Sequence, residues 1–385
     1  MKHVGLVTYY NNNYGSILQC FASKHFIENL GYKCHVLYET SHYSYIRIIR
    51  KCVRLLLKII NDPSYLCNQK QMKNAMKAES LLLSPISKRL MDDFVLSFIS
   101  PEGYTWGQLC DLGKKSKYIC FITGSDQVWN ASRGIPDIFF LRFCPLHKRI
   151  ALAISFGVKT IPAFNSYIKK YIKEFNTLSV REDVGLSIIG GITSKDISRI
   201  ADPAFIYSRE EWLTFFTYGK KKRIPKNFIL VHFLNAPNEI ALSNIVQYST
   251  ERHLKIVAVG YKHKQFNNVK GIKFVDVSPI DYVNFINESN TIFTDSFHTT
   301  LFSVNFEKCF YTYERQYLHN YSQSSRIIEF LERFNLKSRL ILSLEQFDKV
   351  PTNYVIDSTL LQCERKTIRD FINMVFVKAD AEKME

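Results

Sequence analysis

The pattern of apolar and polar positions along the first forty residues changes from that of a strand to that of a helix and back to that of a strand. Residues 4–9 form a short apolar run, the Asn-rich turn 11–15 follows it, and residues 16–30 carry apolar side chains at three- and four-residue spacing. Gly31 stands where a helix is expected to end, and residues 34–38 form the next apolar run. Strand, turn, helix and strand in this order make one βαβ unit, which predicts a parallel sheet covered by helices.

The same alternation continues over most of the chain. Six further apolar runs have the length of strands: 118–123, 150–156, 177–180, 228–233, 256–259 and 291–294. A polar, basic stretch at 219–226 separates the first three runs from the last three. Two βα series divided in this way predict an α/β protein with two Rossmann-like domains that face a cleft.

The spacing of these runs also predicts the domain boundaries. We expect an N-terminal domain at 1–207 and a C-terminal domain at 227–356, joined by a hinge at 208–226. Residues 41–115 break the βα rhythm, and their helical periodicity predicts a helical insertion in the first domain. Residues 357–385 are expected to form a C-terminal helix and tail that pack back onto the body.

Composition and charge narrow the class of protein. The chain has 46 % hydrophobic and 22 % charged residues, which is typical of a globular protein. The formal net charge of +16 favours anionic partners. The nine cysteines form no C-x-x-C pair and the N-terminus has no apolar signal segment, so we expect a cytoplasmic protein with reduced thiols. No apolar run is long enough to predict a transmembrane helix.

Polar residues that could carry chemistry follow several of the predicted strands. They are Asn13, Gly15, Ser125, Asp126, Gln127, Arg181, Ser296 and His298, with Arg326 about one helix further along. Ligands of open α/β sheets bind at the carboxyl ends of strands, so these positions favour function. A glycine turn at a helix start can approach an anion, and an arginine can pair with a phosphate or carboxylate. Histidine and aspartate can transfer protons.

Each of these candidates also has a structural explanation. The turn at 13–16 could be an ordinary tight turn with Ser16 as helix cap, and Ser125 could likewise cap a helix. A lone histidine such as His298 is more often structural than catalytic. Arg181 could be neutralised within the chain, and its possible partners are Glu182, Asp183 and Asp202. The residues by themselves leave these alternatives open.

Other catalytic patterns are missing from the sequence. It contains no G-x-S-x-G elbow, no H-E-x-x-H and no Walker lysine motif, and its histidines and cysteines lack metal-site spacing. It also contains no recognisable nucleic-acid-binding module. We therefore expect neither a metal ion nor a nucleic-acid partner.

Seven segments stand in a characteristic order along the chain. They are NNYGSILQ (12–19), FITGSDQVWN (121–130), ALAISFGV (151–158), LSVRED (178–183), ADP (201–203), DSFHTTLFS (295–303) and SSRI (324–327). Together they resemble the polysaccharide pyruvyltransferase family over residues 3–340, and GSDQVWN is the most specific segment. The family often has glycine directly after the histidine, where this chain has Thr299.

The resemblance implies a fold and an activity. The expected fold is GT-B-like, with two Rossmann-like domains. The expected reaction moves a pyruvyl group from phosphoenolpyruvate, with no further cofactor, onto a sugar of a capsular, exopolysaccharide or other surface-glycan precursor, where it forms a ketal. Two other functions are compatible with the sequence: a GT-B glycosyltransferase that uses a nucleotide sugar, and a non-catalytic protein that binds a glycan or lipid surface.

Family position and side-chain chemistry together suggest roles for the candidate residues. Arg181 and Arg326 would hold the phosphate and carboxylate of phosphoenolpyruvate. His298 would contact the phosphate or protonate the enol carbon, and Asp126 would assist the attacking sugar hydroxyl. The remaining substrate-binding candidates are Asn13, Gly15, Ser125, Gln127 and Ser296.

Residues 46–60, IRIIRKCVRLLLKII, predict a basic amphipathic helix. The apolar positions are Ile46, Ile49, Val53, Leu56, Leu57 and Ile60, and the basic positions are Arg47, Arg50, Lys51, Arg54 and Lys58. Such a helix could lie on anionic lipid at the inner face of the plasma membrane, or it could pack its apolar face on its own domain. We favour the membrane because glycan units are commonly built on lipid carriers.

Overall fold

The structure is a computed structural model that describes residues 1–40, 45–132, 134–216, 222–315 and 325–381. Its strands form two parallel sheets, one for each half of the chain. The first sheet contains β1 (His3–Val7), β2 (Lys33–Glu39), β3 (Glu102–Tyr104), β4 (Tyr118–Thr123), β5 (Arg149–Ile154), β6 (Thr177–Val180) and β7 (Ile197–Arg199). The second contains β8 (Phe228–His232), β9 (Lys255–Ala258), β10 (Ile272–Phe274), β11 (Thr291–Thr294), β12 (Phe310–Tyr313) and β13 (Leu340–Ile341).

Both sheets have the strand order of a Rossmann fold. The order is β3-β2-β1-β4-β5-β6-β7 in the first and β10-β9-β8-β11-β12-β13 in the second. Strands β1, β4 and β8 are buried along almost their whole length, as expected for parallel strands covered on both faces. The prediction of two parallel-sheet α/β domains is confirmed.

Helices connect the strands and cover both faces of each sheet. Those of the first half are α1 (Tyr14–Asn29), α2 (Tyr45–Asn61), α3 (Tyr65–Leu82), α4 (Pro85–Phe94), α5 (Trp106–Lys114), α6 (Ile168–Ile172), α7 (Asp183–Gly190) and α8 (Arg209–Phe215). Those of the second half are α9 (Glu239–Glu251), α10 (Pro279–Glu288), α11 (Phe297–Asn305), α12 (Ser325–Arg333), α13 (Leu344–Lys349) and α14 (Ser358–Ala381). None of the helices in the described ranges is long and apolar enough to cross a membrane.

Two stretches differ from the sequence-based expectation. The region 41–115 is helical through α2, α3 and α4, but it also supplies β3, which pairs with β2, and then α5. The insertion is therefore shorter than predicted, because its last part belongs to the sheet. The expected hinge at 208–226 contains α8, whose Trp212 is fully buried, so this connection is not a bare linker.

The two domains share one hydrophobic core. A single cluster of buried side chains runs from Ile17 and Phe21 on α1 to Ile286 and Phe302 in the second half. The last helix, α14, strengthens this union because Arg365 bonds to Asn305 of α11 and the helix then continues onto the first domain. A large apolar interface of this kind opposes free movement of the domains.

Candidate active site at the facing carboxyl edges

The candidate residues lie where the strand order of each sheet reverses. In the first sheet this point lies between β1 and β4, whose following loops carry residues 13–16 and 124–127. In the second sheet it lies between β8 and β11, and β11 is followed by residues 295–298. Open α/β sheets bind ligands at such points. The contacts described below join the two loop sets, so the two reversal points face each other.

The start of α1 brings the first domain against the second. Asn13 caps this helix, because its side-chain oxygen accepts hydrogen bonds from the backbone N–H groups of Gly15 (2.8 Å) and Ser16 (3.4 Å). A Cβ atom on Gly15 would lie 2.2 Å from Cγ of His298. Glycine is therefore needed here so that the imidazole of the second domain can approach the helix, whereas the sequence suggested approach of an anion.

Asp126 lies beside this helix start. Its Oδ2 accepts a 2.6 Å hydrogen bond from the hydroxyl of Ser16, and its Oδ1 accepts one from the backbone N–H of Gln127. The backbone φ of Asp126 is +63°, in the left-handed region that aspartate tolerates better than most residues. Ser16 is not the helix cap considered from the sequence, because Asn13 caps α1 and the hydroxyl of Ser16 bonds to the candidate carboxylate instead.

Arg181 is surrounded by carboxylates of its own chain. Its guanidinium lies 2.6 Å from Asp202, 3.5 Å from Asp126 and 3.5 Å from Glu182, and the residue is 3 % exposed. Two of the internal partners considered from the sequence, Asp202 and Glu182, are thus present, while Asp183 pairs with Arg199 instead. The charge of Arg181 is thus balanced within the chain, and its contact with a donor stays a prediction.

The two aspartates remain ionised because cations surround them. Burial by itself raises the pKa of Asp126, but the charges of His298 and Arg181 and the Ser16 hydrogen bond outweigh it and leave the pKa lowered. Burial likewise opposes ionisation of Asp202, and the proximity of His298 and then Arg181 takes its pKa well below the usual range. The cluster therefore presents fixed negative charge next to fixed positive charge.

His298 retains unused hydrogen-bonding capacity. Its Nε2 lies 3.6 Å from Oδ2 of Asp202, which is close enough for an ion pair but too long for a hydrogen bond. This nitrogen is buried and has no hydrogen-bond partner within the described ranges. Buried polar atoms are nearly always satisfied, so this unfilled nitrogen at the junction of the two domains indicates a place for a ligand atom.

Phe297 supports both arginines of the cluster. The guanidinium carbon of Arg181 lies 4.8 Å from the centre of its ring and that of Arg326 lies 5.5 Å from it. Arg326 is buried, and its charge contributes to the lowered pKa of Asp126. The structure thus brings together Arg326, Arg181, His298 and Asp126, although they come from both domains. Sequence reasoning did not single out Phe297, whose only signal was its place before the histidine.

The other candidates have mainly local partners. The hydroxyl of Ser125 is buried and donates to Asp202 (2.8 Å), which holds that carboxylate toward Arg181. The side-chain oxygen of Gln127 accepts a hydrogen bond from Asn130. Ser296 caps α11, with its hydroxyl accepting from the backbone N–H of Thr299. These residues position the cluster, and their contact with a substrate stays a prediction.

Thr299 does not face the cluster. It is fully buried, and its hydroxyl lies 2.8 Å from both Nδ1 of His232 and the hydroxyl of Tyr282. The ring of Tyr282 stacks at 4.5 Å on Tyr14 of the first domain. The threonine that follows the histidine therefore belongs to a polar network under the domain junction rather than to the wall of the cleft.

Comparison with known families and structures gives a consistent result. A family model described as polysaccharide pyruvyl transferase matches residues 13–317. The comparison with curated proteins finds no similar sequence.

Solved structures match over almost the full length of the chain. A UDP-GlcNAc 2-epimerase from Methanocaldococcus jannaschii aligns with a TM-score of 0.54 and 11 % identity, over 98 % of this chain and 100 % of its own. The structure of Staphylococcus aureus MnaA with UDP aligns with a TM-score of 0.51 and 11 % identity, over 95 % and 91 %. At such identities the likeness concerns the fold alone, and it confirms the GT-B-like arrangement of the two domains.

Proposed function

The chain belongs to the polysaccharide pyruvyl transferase family, and from that premise we propose that it transfers the pyruvyl group of phosphoenolpyruvate to a sugar of a surface-glycan precursor. The product is a cyclic ketal of two sugar hydroxyls. The observation that carries the proposal is the meeting of His298 and Arg326 from one domain with Asp126 from the other, with Nε2 of His298 unfilled. A trianionic donor needs such cationic groups in a buried place.

Arg326 and His298 are the proposed donor contacts. Arg326 binds the carboxylate or phosphate of phosphoenolpyruvate while Phe297 holds its guanidinium in place. Arg181 has a different part from the one expected, because Asp202, Glu182 and Asp126 already surround it. Its contacts to Asp126 and Glu182 are both 3.5 Å long, and the one to Asp126, on the side of the other candidate residues, is the one that a bound donor can replace.

The proposed reaction balances without an added reagent. Protonated His298 gives its proton to the methylene carbon of the enol, which leaves the neighbouring carbon electrophilic. A sugar hydroxyl, oriented by Asp126, adds to that carbon and phosphate leaves. A second hydroxyl of the same sugar then closes the ketal. One of the two hydroxyl protons restores the proton that His298 gave to the methyl group, and the other leaves with the phosphate. The lowered pKa of Asp126 suits a group that orients a hydroxyl better than it suits a strong base.

Calorimetric titration with phosphoenolpyruvate tests the donor assignment. We expect Arg326→Ala to weaken binding by about tenfold or more, because a charge-assisted hydrogen bond is lost. Arg252→Ala is the matched control, since Arg252 is an exposed arginine of the same domain. Binding of UDP-sugars instead of phosphoenolpyruvate by the wild type would contradict the proposal and favour a glycosyltransferase. Mass spectrometry of the organism's surface glycan, with and without this protein, tests the product.

We further propose that α2 rests on an anionic membrane surface. The side chains of Ile49, Val53, Leu56, Leu57 and Ile60 are all 46 % or more exposed, although apolar faces of helices normally pack inward. These exposed side chains support the membrane proposal over the alternative that the face packs on its own domain. Two of the basic residues expected to meet headgroups, Arg54 and Lys58, point into the protein instead, while the side chains of Ile46, Arg47, Arg50 and Lys51 lie outside the described set.

A lipid surface suits this face for two reasons. Five neighbouring apolar side chains on one helix can enter the boundary between headgroups and acyl chains. The net charge of +16 draws the whole protein toward anionic lipid. The protein would then bind its acceptor at the inner face of the plasma membrane, where lipid-linked glycan precursors are found.

A further inference from the structure

A cavity of about 300 Å³ lies beneath α2, on the side away from its exposed apolar face. It opens at the carboxyl edge of the first sheet, because Glu39 ends β2 and residues 134–137 belong to the long loop after β4. Arg54 and Lys58 reach it from the helix, and Tyr65 and Tyr167 supply two aromatic rings. It is separate from the cluster around Arg181, since the two share no lining residue.

The Lys58 ammonium is the unusual feature of this cavity. The residue is only 7 % exposed, and its one hydrogen bond to a described residue is a long contact of 3.4 Å to the hydroxyl of Tyr65. No carboxylate of the described ranges forms an ion pair with it. A buried ammonium without a counter-charge is costly to the folded protein, so it points to an anion that binds there.

The surroundings are arranged to hold an anion rather than to neutralise Lys58. Arg54 is fixed by Asp137 (2.8 Å) and by the hydroxyl of Tyr171 (2.7 Å), and Arg142 lies 3.6 Å from the same Asp137. Among the described lining residues, the positive charges of Arg54 and Lys58 face the carboxylates of Asp137 and Glu39, and Arg142 next to the cavity pairs with Asp137 as well. The Lys58 nitrogen lies 5.2 Å and 5.4 Å from the ring centres of Tyr65 and Tyr167, so aromatic faces border the same space.

We propose that this cavity binds a sugar that carries a phosphoryl group, with the Lys58 ammonium on the phosphate and the two tyrosine rings beside the sugar. Aromatic faces suit the apolar face of a sugar ring, and the volume suits one sugar residue. The statement that this cavity is a subsite for the acceptor rests on the proposed function. The statement that Lys58 binds a sugar phosphate does not rest on it. The phosphate could belong to a soluble sugar or to the head of a lipid-linked sugar.

Binding is expected to depend on pH through Lys58. Burial, and then the charge of Arg54, lower the pKa of this lysine to about 8. The other ionisable groups that border the cavity are Glu39, Asp137, Tyr65 and Tyr167. The amine must be protonated to hold a phosphate, so affinity is present below pH 8 and falls as the pH rises through it. A phosphate bound next to the amine moves this midpoint upward.

Calorimetric titration with glucose 1-phosphate tests the cavity, with glucose and inorganic phosphate as partial probes. We expect Lys58→Met to lower the affinity for glucose 1-phosphate by about 10- to 100-fold and to abolish its loss above pH 8. Lys70→Met, at an exposed lysine of α3, is the matched control and should bind as the wild type does. The melting temperature of Lys58→Met should be no lower than that of the wild type, because the substitution removes an uncompensated charge. If Lys58→Met does not fold, Lys58→Gln replaces it in the titrations.

The two anion sites can be separated in the same series. Lys58→Met should leave the binding of phosphoenolpyruvate unchanged, and Arg326→Ala should leave the binding of glucose 1-phosphate unchanged. Loss of glucose 1-phosphate binding only in Arg326→Ala would overturn the inference and spare the donor assignment. Failure of the wild type to bind phosphoenolpyruvate, with Lys58-dependent binding intact, would overturn the proposed function alone.

A long-chain alkyl ester of glucose 1-phosphate identifies the source of the phosphate. Tighter binding of the ester than of glucose 1-phosphate, lost in Leu56→Ser, assigns the site to a lipid-linked sugar. Equal binding of the two probes assigns it to a soluble one. Lys58-independent binding of both would contradict the inference.

Discussion

At the scale of single residues, the contact between Gly15 and His298 is a close steric constraint between the two domains at the site. We expect Gly15→Ala to lower the free energy of unfolding by roughly 1–3 kcal/mol, because its methyl group would overlap the imidazole ring. Urea unfolding measures this loss. The double variant Gly15→Ala/His298→Ala should recover most of it, and a cycle without any recovery would show that the strain arises elsewhere.

Arg181 neutralises buried carboxylates, so we expect its removal to destabilise the fold. Arg181→Ala should lower the free energy of unfolding by about 3–5 kcal/mol, since Asp202 and Glu182 would remain buried without a counter-charge. Urea unfolding of Arg181→Ala and Arg326→Ala side by side is the measurement. If Arg181→Ala unfolds as the wild type does and loses only donor affinity, the arginine is a substrate ligand after all.

These residues show where sequence reasoning about the site stops. Position after a strand was enough to make Asp126, Arg181 and His298 candidates, because parallel strands end at one edge, and the family resemblance then suggested their roles. It could not choose between a ligand and an internal partner for Arg181, since Asp202 comes within 2.6 Å only when the loop after β7 folds back. Nor could it show that Thr299 turns away from the cleft, because that depends on His232 and Tyr282 of distant elements.

At the scale of elements, the strands missed by the sequence analysis are mostly those at the sheet edges. β3, β7 and β10 each have three residues that are partly or fully exposed, so none of them shows a continuous apolar run. The strands that were predicted, such as β4 and β6, lie inside a sheet and are buried on both faces. β12 is an exception, since it is buried and lies inside the sheet but was not predicted.

Helix α2 shows that the spacing of apolar residues identifies the apolar face of a helix but not whether that face points into the protein or outward. The three- and four-residue spacing correctly grouped Ile49, Val53 and Leu56, yet this face points outward while Arg54 and Lys58 point inward. The spacing of apolar residues is the same in both cases. Only the positions of the neighbouring elements decide which side is covered.

The exposed face of α2 leads to a prediction about lipid binding. The wild type should sediment with vesicles rich in phosphatidylglycerol, and the variant Val53→Ser/Leu56→Ser/Ile60→Ser should remain in the supernatant, because the burial of apolar surface is lost. Val246→Ser/Leu342→Ser, at exposed apolar positions of the other domain, is the control and should sediment. Equal sedimentation of both variants would refute the role of α2.

At the scale of the whole molecule, the ionised cluster links the two domains and makes their union sensitive to acid. The pKa of Asp202 is lowered in the folded state, so its contribution to stability is complete above about pH 4 and is lost as the pH falls through the folded value. We expect the free energy of unfolding to decrease steadily below pH 4 and the decrease to be smaller in Asp202→Asn. Urea unfolding between pH 2 and pH 7 measures both curves, and parallel curves would exclude Asp202 as the cause.

The shared core of the two domains has a consequence for protein engineering. A fusion of the halves of two related enzymes would recombine their substrate preferences only if each half were an independent module. Here a chimaera would join an α1 surface bearing Ile17 and Phe21 to an unmatched partner surface in place of Ile286 and Phe302. Grafts should succeed when the exchanged piece is a loop at the carboxyl edge and fail when the crossover point divides the common core.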